Sequence, residues 1–158
     1  READAMLLEL AHLLDRVGLA ALARARRNQH GFSLLYVDLD KFKPINDAHG
    51  HETGDKLLQE VARRISQCVR DTDTVARLGG DEFVVLLDRA CQFEDAELVA
   101  DKICSELCGA IQVRELQLFI TPSIGIAVYP EHGDSAQQLL RHADDAMYQM
   151  KKKSQRVY

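Results

Sequence analysis

Apolar positions along the chain follow two periods, helical and extended, that exchange in a definite order. Residues 4–29 carry Ala, Leu and Arg at helical spacing, and Asn28 to Gly31 ends that helix. Ser33-Leu34-Leu35-Tyr36-Val37 is an apolar run of strand length that stops on Asp38. Lys41 to Ala48 predicts a short helix closed by His49-Gly50-His51. From Thr53 onward, Leu57, Leu58, Val61, Ala62, Ile65 and Val69 recur at helical spacing and predict a strongly amphipathic helix. Thr74 to Leu78 and Glu82 to Leu87 predict two strands joined by a glycine turn, the second apolar throughout, as in a strand buried on both faces. Ala96, Val99, Ala100, Ile103 and Leu107 mark a further helix. Ile111 to Arg114 and Leu118 to Val128 predict a strand pair, with Pro122 at an edge or bulge. Leu139, Leu140, Ala143, Met147 and Met150 mark a last helix that runs into Lys151-Lys152-Lys153. This order predicts an α/β (α+β) sandwich: a central mixed, mostly antiparallel five-stranded sheet flanked by helices, and not a doubly wound parallel one.

Length and composition narrow the class. With 158 residues, 46% apolar and 28% charged, residues 1–158 are expected to form a single soluble domain with a real core. Because Arg1 already lies inside a helical pattern, the chain is expected to be part of a longer protein. No apolar run approaches the roughly 18 residues that cross a bilayer, and no signal-peptide pattern is present. A net charge of −5 argues against a broad nucleic-acid-binding surface. Local lysines, metal ions and backbone N–H groups can still hold phosphates on an acidic protein. Cys68, Cys91, Cys104 and Cys108 form no C-x-x-C pair and are expected to be buried free thiols, in keeping with a reducing cytosol.

The chemistry concentrates at Arg77-Leu78-Gly79-Gly80-Asp81-Glu82-Phe83. Paired glycines allow the positive φ of a tight hairpin and clear the space above it. Taken alone they would mark an ordinary turn. Adjacent carboxylates on a sheet rim repel one another, however, and make more sense where a cation or a reacting hydroxyl is held. Upstream, Asp38-Leu39-Asp40 ends the first strand, where alternate residues share a face. If that strand pairs beside 82–87, Asp38 approaches Asp81. Two carboxylates and a backbone carbonyl then make a hard oxygen site suited to Mg²⁺.

These segments carry a resemblance. Arg77 to Phe83, Asp38-Leu39-Asp40-Lys41-Phe42-Lys43 and Asn46-Asp47-Ala48-His49-Gly50-His51-Glu52-Thr53-Gly54-Asp55 resemble the GGDEF family of diguanylate cyclases. So do Ser123 to Pro130 and Ala143-Asp144-Asp145-Ala146-Met147-Tyr148, which extends the likeness over about residues 10–158. It implies a palm-like fold similar to the nucleotidyl cyclases, and condensation of two GTP into cyclic di-GMP with release of pyrophosphate. Two protomers would face each other as a homodimer, each 3′-hydroxyl attacking the other's α-phosphate. It further implies that Asp38 and Asp81 ligate Mg²⁺ (or Mn²⁺) by side chain and Leu39 by its carbonyl. Asn46 and Asp55 would read the guanine edge, and Gly79 and Gly80 would let the backbone approach the phosphates. Lys43 and Lys151 would contact the terminal phosphates, with Phe42 packed under the base or into the core. Glu82 is either a second metal ligand or the group that helps deprotonate the 3′-hydroxyl. Asn46 as a helix cap, and Lys151 to Lys153 as a solvated helix end, are the plainer readings of those residues. The expected setting is a cytoplasmic domain without nucleic-acid or membrane contacts of its own.

Arg70-Asp71-Thr72-Asp73 stands just before the second strand. On its own an Arg-x-x-Asp is a surface ion pair. At this offset it resembles the family's inhibitory site for cyclic di-GMP, with Arg70 gripping a phosphate or guanine edge and Asp73 accepting from guanine N–H groups. Two stretches depart from the family. Leu8 to Arg16 keeps the leucines and the arginine of an Asp-x-Leu-Thr-Gly-Leu-x-Asn-Arg motif but lacks its Thr, Gly and Asn. Ser154 and Gln155 stand where Gly and a second phosphate-binding cation are expected. Losing one charge-assisted phosphate contact costs about 1.5–3 kcal/mol, so the alternative is a catalytically weak or silent domain that binds GTP or cyclic di-GMP. His49 and His51 flank a glycine turn and read as structural.

Overall fold

The computed structural model describes residues 22–28 and 30–156, with side chains as far as Lys153. Most of the predicted 4–29 helix, including the altered Leu8 to Arg16 stretch, lies outside the described residues, as do the side chains of Ser154 and Gln155. Residues 22–28 are helical (α1). There follow β1 (Phe32–Asp40), α2 (Phe42–His49), α3 (His51–Gln67), β2 (Thr74–Gly79), β3 (Glu82–Leu87), α4 (Phe93–Leu107), β4 (Ile111–Val113), β5 (Leu116–Leu118), β6 (Thr121–Tyr129) and α5 (Ala136–Arg156).

The main sheet has the order β2-β3-β1-β6, and every pairing in it is antiparallel. The expected α/β sandwich with flanking helices is present, but the expected sheet of five strands with mixed pairing is corrected in detail. β4 pairs with β5 in a separate two-stranded ribbon, and β6 leaves that ribbon to pair along its length with β1. The predicted strand from Leu118 to Val128 thus joins two elements, because an apolar run does not say which neighbour each half finds. Pro122 lies on β6, an edge strand, opposite Leu39. The Leu39 N–H donates the other way, to the Asp81 carbonyl at 3.1 Å, so the missing proline N–H breaks no pairing there.

Both faces of the sheet are covered, which is why β1 and β3 are apolar almost throughout. On one face Leu35, Val37, Leu39, Phe83 and Val85 pack with Leu57, Val61 and Ile65 of α3 and Ile103 and Leu107 of α4. On the other, Leu34, Tyr36, Val84 and Leu86 pack with Leu139, Leu140, Ala143 and Met147 of α5 and Leu22 and Ala25 of α1. A reciprocal cap starts α5: Ser135 Oγ accepts from Gln138 N at 3.2 Å, and Gln138 Oε1 accepts from Asp134 N at 2.9 Å. The cysteines are free as expected, but only Cys68 is buried, and Cys108 at the end of α4 is exposed.

Gly125 sets how closely α5 approaches the sheet. A Cβ there would stand 1.8 Å from the Ala143 carbonyl oxygen and 2.4 Å from the Met147 nitrogen, both backbone atoms that cannot swing aside. Gly125→Ala is therefore expected to destabilise the fold by about 1–3 kcal/mol or more. Urea denaturation checks this, and an unchanged midpoint would show that α5 is not seated on β6 as described.

Candidate active site

The acidic residues meet where β1 and β3 end. Their register sets Asp38 opposite Glu82, and both continue the α5-facing row of Tyr36 and Val84. Just before Glu82 the β2–β3 turn runs through Gly79 (φ 142°) and Gly80 (φ 58°), backbone conformations that favour glycine. A Cβ at either position would meet nothing within 4 Å, so the space above the turn is open. Arg77 Nε pins the turn by donating to the Gly80 carbonyl at 3.1 Å. The Leu39 side chain is buried in the core. Its N–H points to Asp81, and in an extended strand the carbonyl of the same residue points the same way.

Charge dominates this corner. Asp81 is half-buried and its carboxyl is pushed up, first by burial and then by the Asp38 charge beside it. Glu82 is pushed up to about 7, first by burial and further by Asp38, Asp81 and Asp144, against a hydrogen bond from Tyr36 that favours the ionised form. That bond runs from the Tyr36 hydroxyl to Glu82 Oε2 at 2.6 Å. The counter-charge comes from the far end of the chain. Lys151 Nζ donates to Asp38 Oδ2 at 2.7 Å and stands 3.4 Å from Asp40 Oδ1. Burial works against the Lys151 charge, but the Asp38 hydrogen bond and the charges of Asp38 and Asp40 outweigh it, so the ammonium is held above its usual value. Asp40 Oδ2 accepts from Ser123 Oγ at 2.7 Å, while the buried Oδ1 has only the Lys151 charge and no hydrogen bond.

Among the described residues no group of three or more His, Cys, Asp or Glu side chains converges as a metal cage. What the corner offers is narrower: the Asp38–Asp81 carboxylate pair, the Leu39 carbonyl directed toward it, and open space over two glycines. All are hard oxygen donors, few in number. Mg²⁺ takes such a set, completing its octahedron with substrate phosphates and water.

A second corner lies between α2 and α3. Asn46 is within α2 rather than at its cap, and its Nδ2 donates to His51 Nδ1 at 3.0 Å. Gly54 makes room for it, since a Cβ there would stand 2.3 Å from Asn46 Oδ1 and 3.2 Å from the Phe42 ring. Asn46 is thereby held against the first turn of α3, where Asp55 is exposed one residue further on. Phe42 packs against the core, and Lys43 is exposed on α2.

Arg70 and Asp73 lie away from both corners and line a cavity of about 380 Å³ with Leu87, Arg89, Asp95 and Leu98. Both Asp73 carboxylate oxygens are engaged: Oδ2 accepts from Arg70 N at 2.9 Å and Oδ1 from Asp88 N at 3.0 Å. Asp73 therefore shapes the turn that presents Arg70 and ties it to the end of β3.

No motif assigns a role to Tyr36, Asp40, Ser123 or Arg89. Strand alternation places Tyr36, Asp38 and Asp40 on one face, which was the available signal for Tyr36 and Asp40. Ser123 and Arg89 come into reach only through pairing and packing distant in sequence.

The model of the family described as "Diguanylate cyclase, GGDEF domain" matches residues 4–156. The bifunctional diguanylate cyclase/cyclic di-GMP phosphodiesterase MucR of Pseudomonas aeruginosa is 44% identical over 146 residues, covering 92% of this chain and 21% of MucR. The cyclic di-GMP phosphodiesterase PdeR of Escherichia coli is 40% identical over 131 residues, covering 83% of this chain and 19% of PdeR. The chain thus spans about a fifth of the length of either relative. The crystal structure of the GGDEF domain of TpbB from Pseudomonas aeruginosa superimposes with a TM-score of 0.81 at 41% identity, covering 85% of this chain and 84% of that one. The chain belongs to the GGDEF family of diguanylate cyclase domains.

Because Glu82 is pushed from 4.5 to about 7 in the folded state, the fold holds that proton more tightly than the unfolded chain does. Stability from this group is therefore present below about 4.5 and is lost as pH rises toward about 7. Glu82→Gln keeps an acceptor for Tyr36 and removes the charge. Metal-stripped Glu82→Gln is expected to melt a few degrees above the unsubstituted protein at pH 8, about 1 kcal/mol or less after solvent screening. At pH 4 the two should coincide, as thermal melts at the two pH values will show.

Proposed function

We propose that this domain condenses two GTP molecules into cyclic di-GMP, releasing two pyrophosphates. The observation that carries the reading is the Asp38–Asp81 carboxylate pair beside the Leu39 carbonyl, under the open Gly79–Gly80 turn. Asp38, Asp81 and the Leu39 carbonyl would hold Mg²⁺ or Mn²⁺, which when bound neutralises phosphate charge and stabilises in-line phosphoryl transfer. Asn46 and Asp55 would orient guanine, the carboxylate accepting from N1–H and N2–H₂ and the amide meeting N3. Lys43 would hold terminal phosphates, as would Lys151 once its ammonium turns from Asp38 toward the nucleotide. Glu82 would be a second metal ligand or would help deprotonate the 3′-hydroxyl beside the Asp81-held metal, and a carboxyl near 7 suits a group that takes and returns a proton.

One such corner holds one nucleotide. Closing a ring with two 3′–5′ linkages needs each 3′-hydroxyl to reach the other nucleotide's α-phosphate, so two copies of the domain must face each other. Arg70 would grip cyclic di-GMP at the second site, where the product limits its own synthesis. We place the domain in the cytoplasm, where GTP is available.

Incubation with GTP and Mg²⁺, followed by nucleotide separation, is expected to yield cyclic di-GMP. Asp81→Ala should lower the rate about 100-fold or more while leaving the fold intact. GTP binding without any cyclic di-GMP at high protein concentration would favour a silent, nucleotide-binding regulatory domain instead. Arg70→Ala should weaken cyclic di-GMP binding about tenfold or more and relieve inhibition without slowing the initial rate. Product inhibition that survives this change would rule out the Arg70 site.

A further inference from the structure

Tyr36 carries a core ring into the acidic corner. It stands two residues before Asp38 on the same face of β1, with Val84 of β3 opposite on one side and Gly125 of β6 on the other. Backbone atoms of Ala143 and Met147 fill the place of a side chain at Gly125, so α5 lies directly on the sheet next to the ring. Val84, Leu140, Ala143 and Met147 belong to the same packed cluster, and Tyr36 is only 3% exposed. The ring body therefore has one place to be.

The hydroxyl at its tip donates to Glu82 Oε2 at 2.6 Å, the length of an O–H···O⁻ bond. Burial first, then the Glu82 hydrogen bond and charge, raise the phenol well above its ordinary value, so it stays a donor at any working pH. Glu82 needs such a partner. Its carboxyl lies among the negative charges of Asp38, Asp81 and Asp144, and a long side chain in that company would otherwise turn toward solvent. With Oε2 bound by a ring that cannot move, Oε1 is the oxygen left to face the open turn.

We propose that Tyr36 is the positioning residue for Glu82: its buried hydroxyl fixes Oε2, so that Oε1 is presented to the reacting nucleotide. The inference rests on the cyclase reading of this corner. Positioning adds no binding of its own, so its loss acts on the chemical step and leaves substrate affinity alone.

Tyr36→Phe removes only the hydroxyl, and Tyr36→Leu removes hydroxyl and ring together. Both are expected to lower kcat about 10- to 100-fold, the range for a misplaced reacting group, with KM for GTP changed about twofold or less. Tyr36→Phe should keep the melting temperature of the unsubstituted protein while Tyr36→Leu lowers it, and crystals of Tyr36→Phe should show Glu82 turned from its place. If Tyr36→Phe keeps full kcat, or shows Glu82 unmoved, Tyr36 only fills the core and the inference is overturned. Absence of turnover in the unsubstituted protein would instead remove the cyclase reading, and the place of Glu82 in the Tyr36→Phe crystals would still decide the positioning claim.

Discussion

The antiparallel register of β1 against β3 is the constraint on which the rest depends. It sets Asp38 opposite Glu82 and Tyr36 opposite Val84, and a slip of one residue would send Asp38 into the α3–α4 core and Leu39 out of it. Over residues 32–37 burial specifies this register weakly, because β1 is apolar on both faces there, and only Asp38 in the core would oppose the slip. The β2–β3 turn supplies what burial does not. Arg77 holds the Gly80 carbonyl, the Asp81 carbonyl takes the Leu39 N–H, and together these fix where β3 begins relative to the end of β1.

With the register set, the fold concentrates negative charge at one sheet end and answers it from a distance. Asp81 and Glu82 are both held above their usual values, first by burial and then by the Asp38 charge they share as a neighbour. An unpaired cluster of this kind destabilises the fold that holds it. Lys151 reaches it across 113 residues of sequence, and it arrives there because Gly125 lets α5 lie close on β6. The helix that closes one core thus also delivers the cation. Arginine would answer the charge equally well, but lysine is a compact point charge on a flexible stem that can be handed from carboxylate to phosphate.

Much of this was legible in the residues, and the limits have physical causes. The helical periods of Leu57 to Val69 and Ala96 to Leu107 predicted α3 and α4 closely, and the glycine turn between Leu78 and Glu82 predicted the hairpin. Asp38 and Asp81 were legible as a pair because Asp38 closes an apolar run and Asp81 sits in a recognisable glycine turn. The run from Leu118 to Val128 was misread as one strand, since Leu118 pairs locally with Ile111 while Ser123 to Val128 pair with β1 far away in sequence. Spacing carries no record of that choice. The Lys151 contact with Asp38 left no mark in the spacing, because it depends on where α5 docks, and the Tyr36 contact with Glu82 depends on the β1–β3 register. The backbone N–H groups that the two Asp73 oxygens accept from were not legible either, since Asp88 lies across the hairpin.

We propose the Asp38–Asp81 corner as a cation site completed by nucleotide, with Lys151 as its exchangeable partner. Anomalous diffraction from crystals soaked with Mn²⁺ and a non-hydrolysable GTP analogue tests it most directly. The account predicts a manganese peak between Asp38, Asp81 and the Leu39 carbonyl, with the Lys151 ammonium moved from Asp38 to the terminal phosphates. Nucleotide bound with no manganese at that corner, and Lys151 still on Asp38, would contradict it.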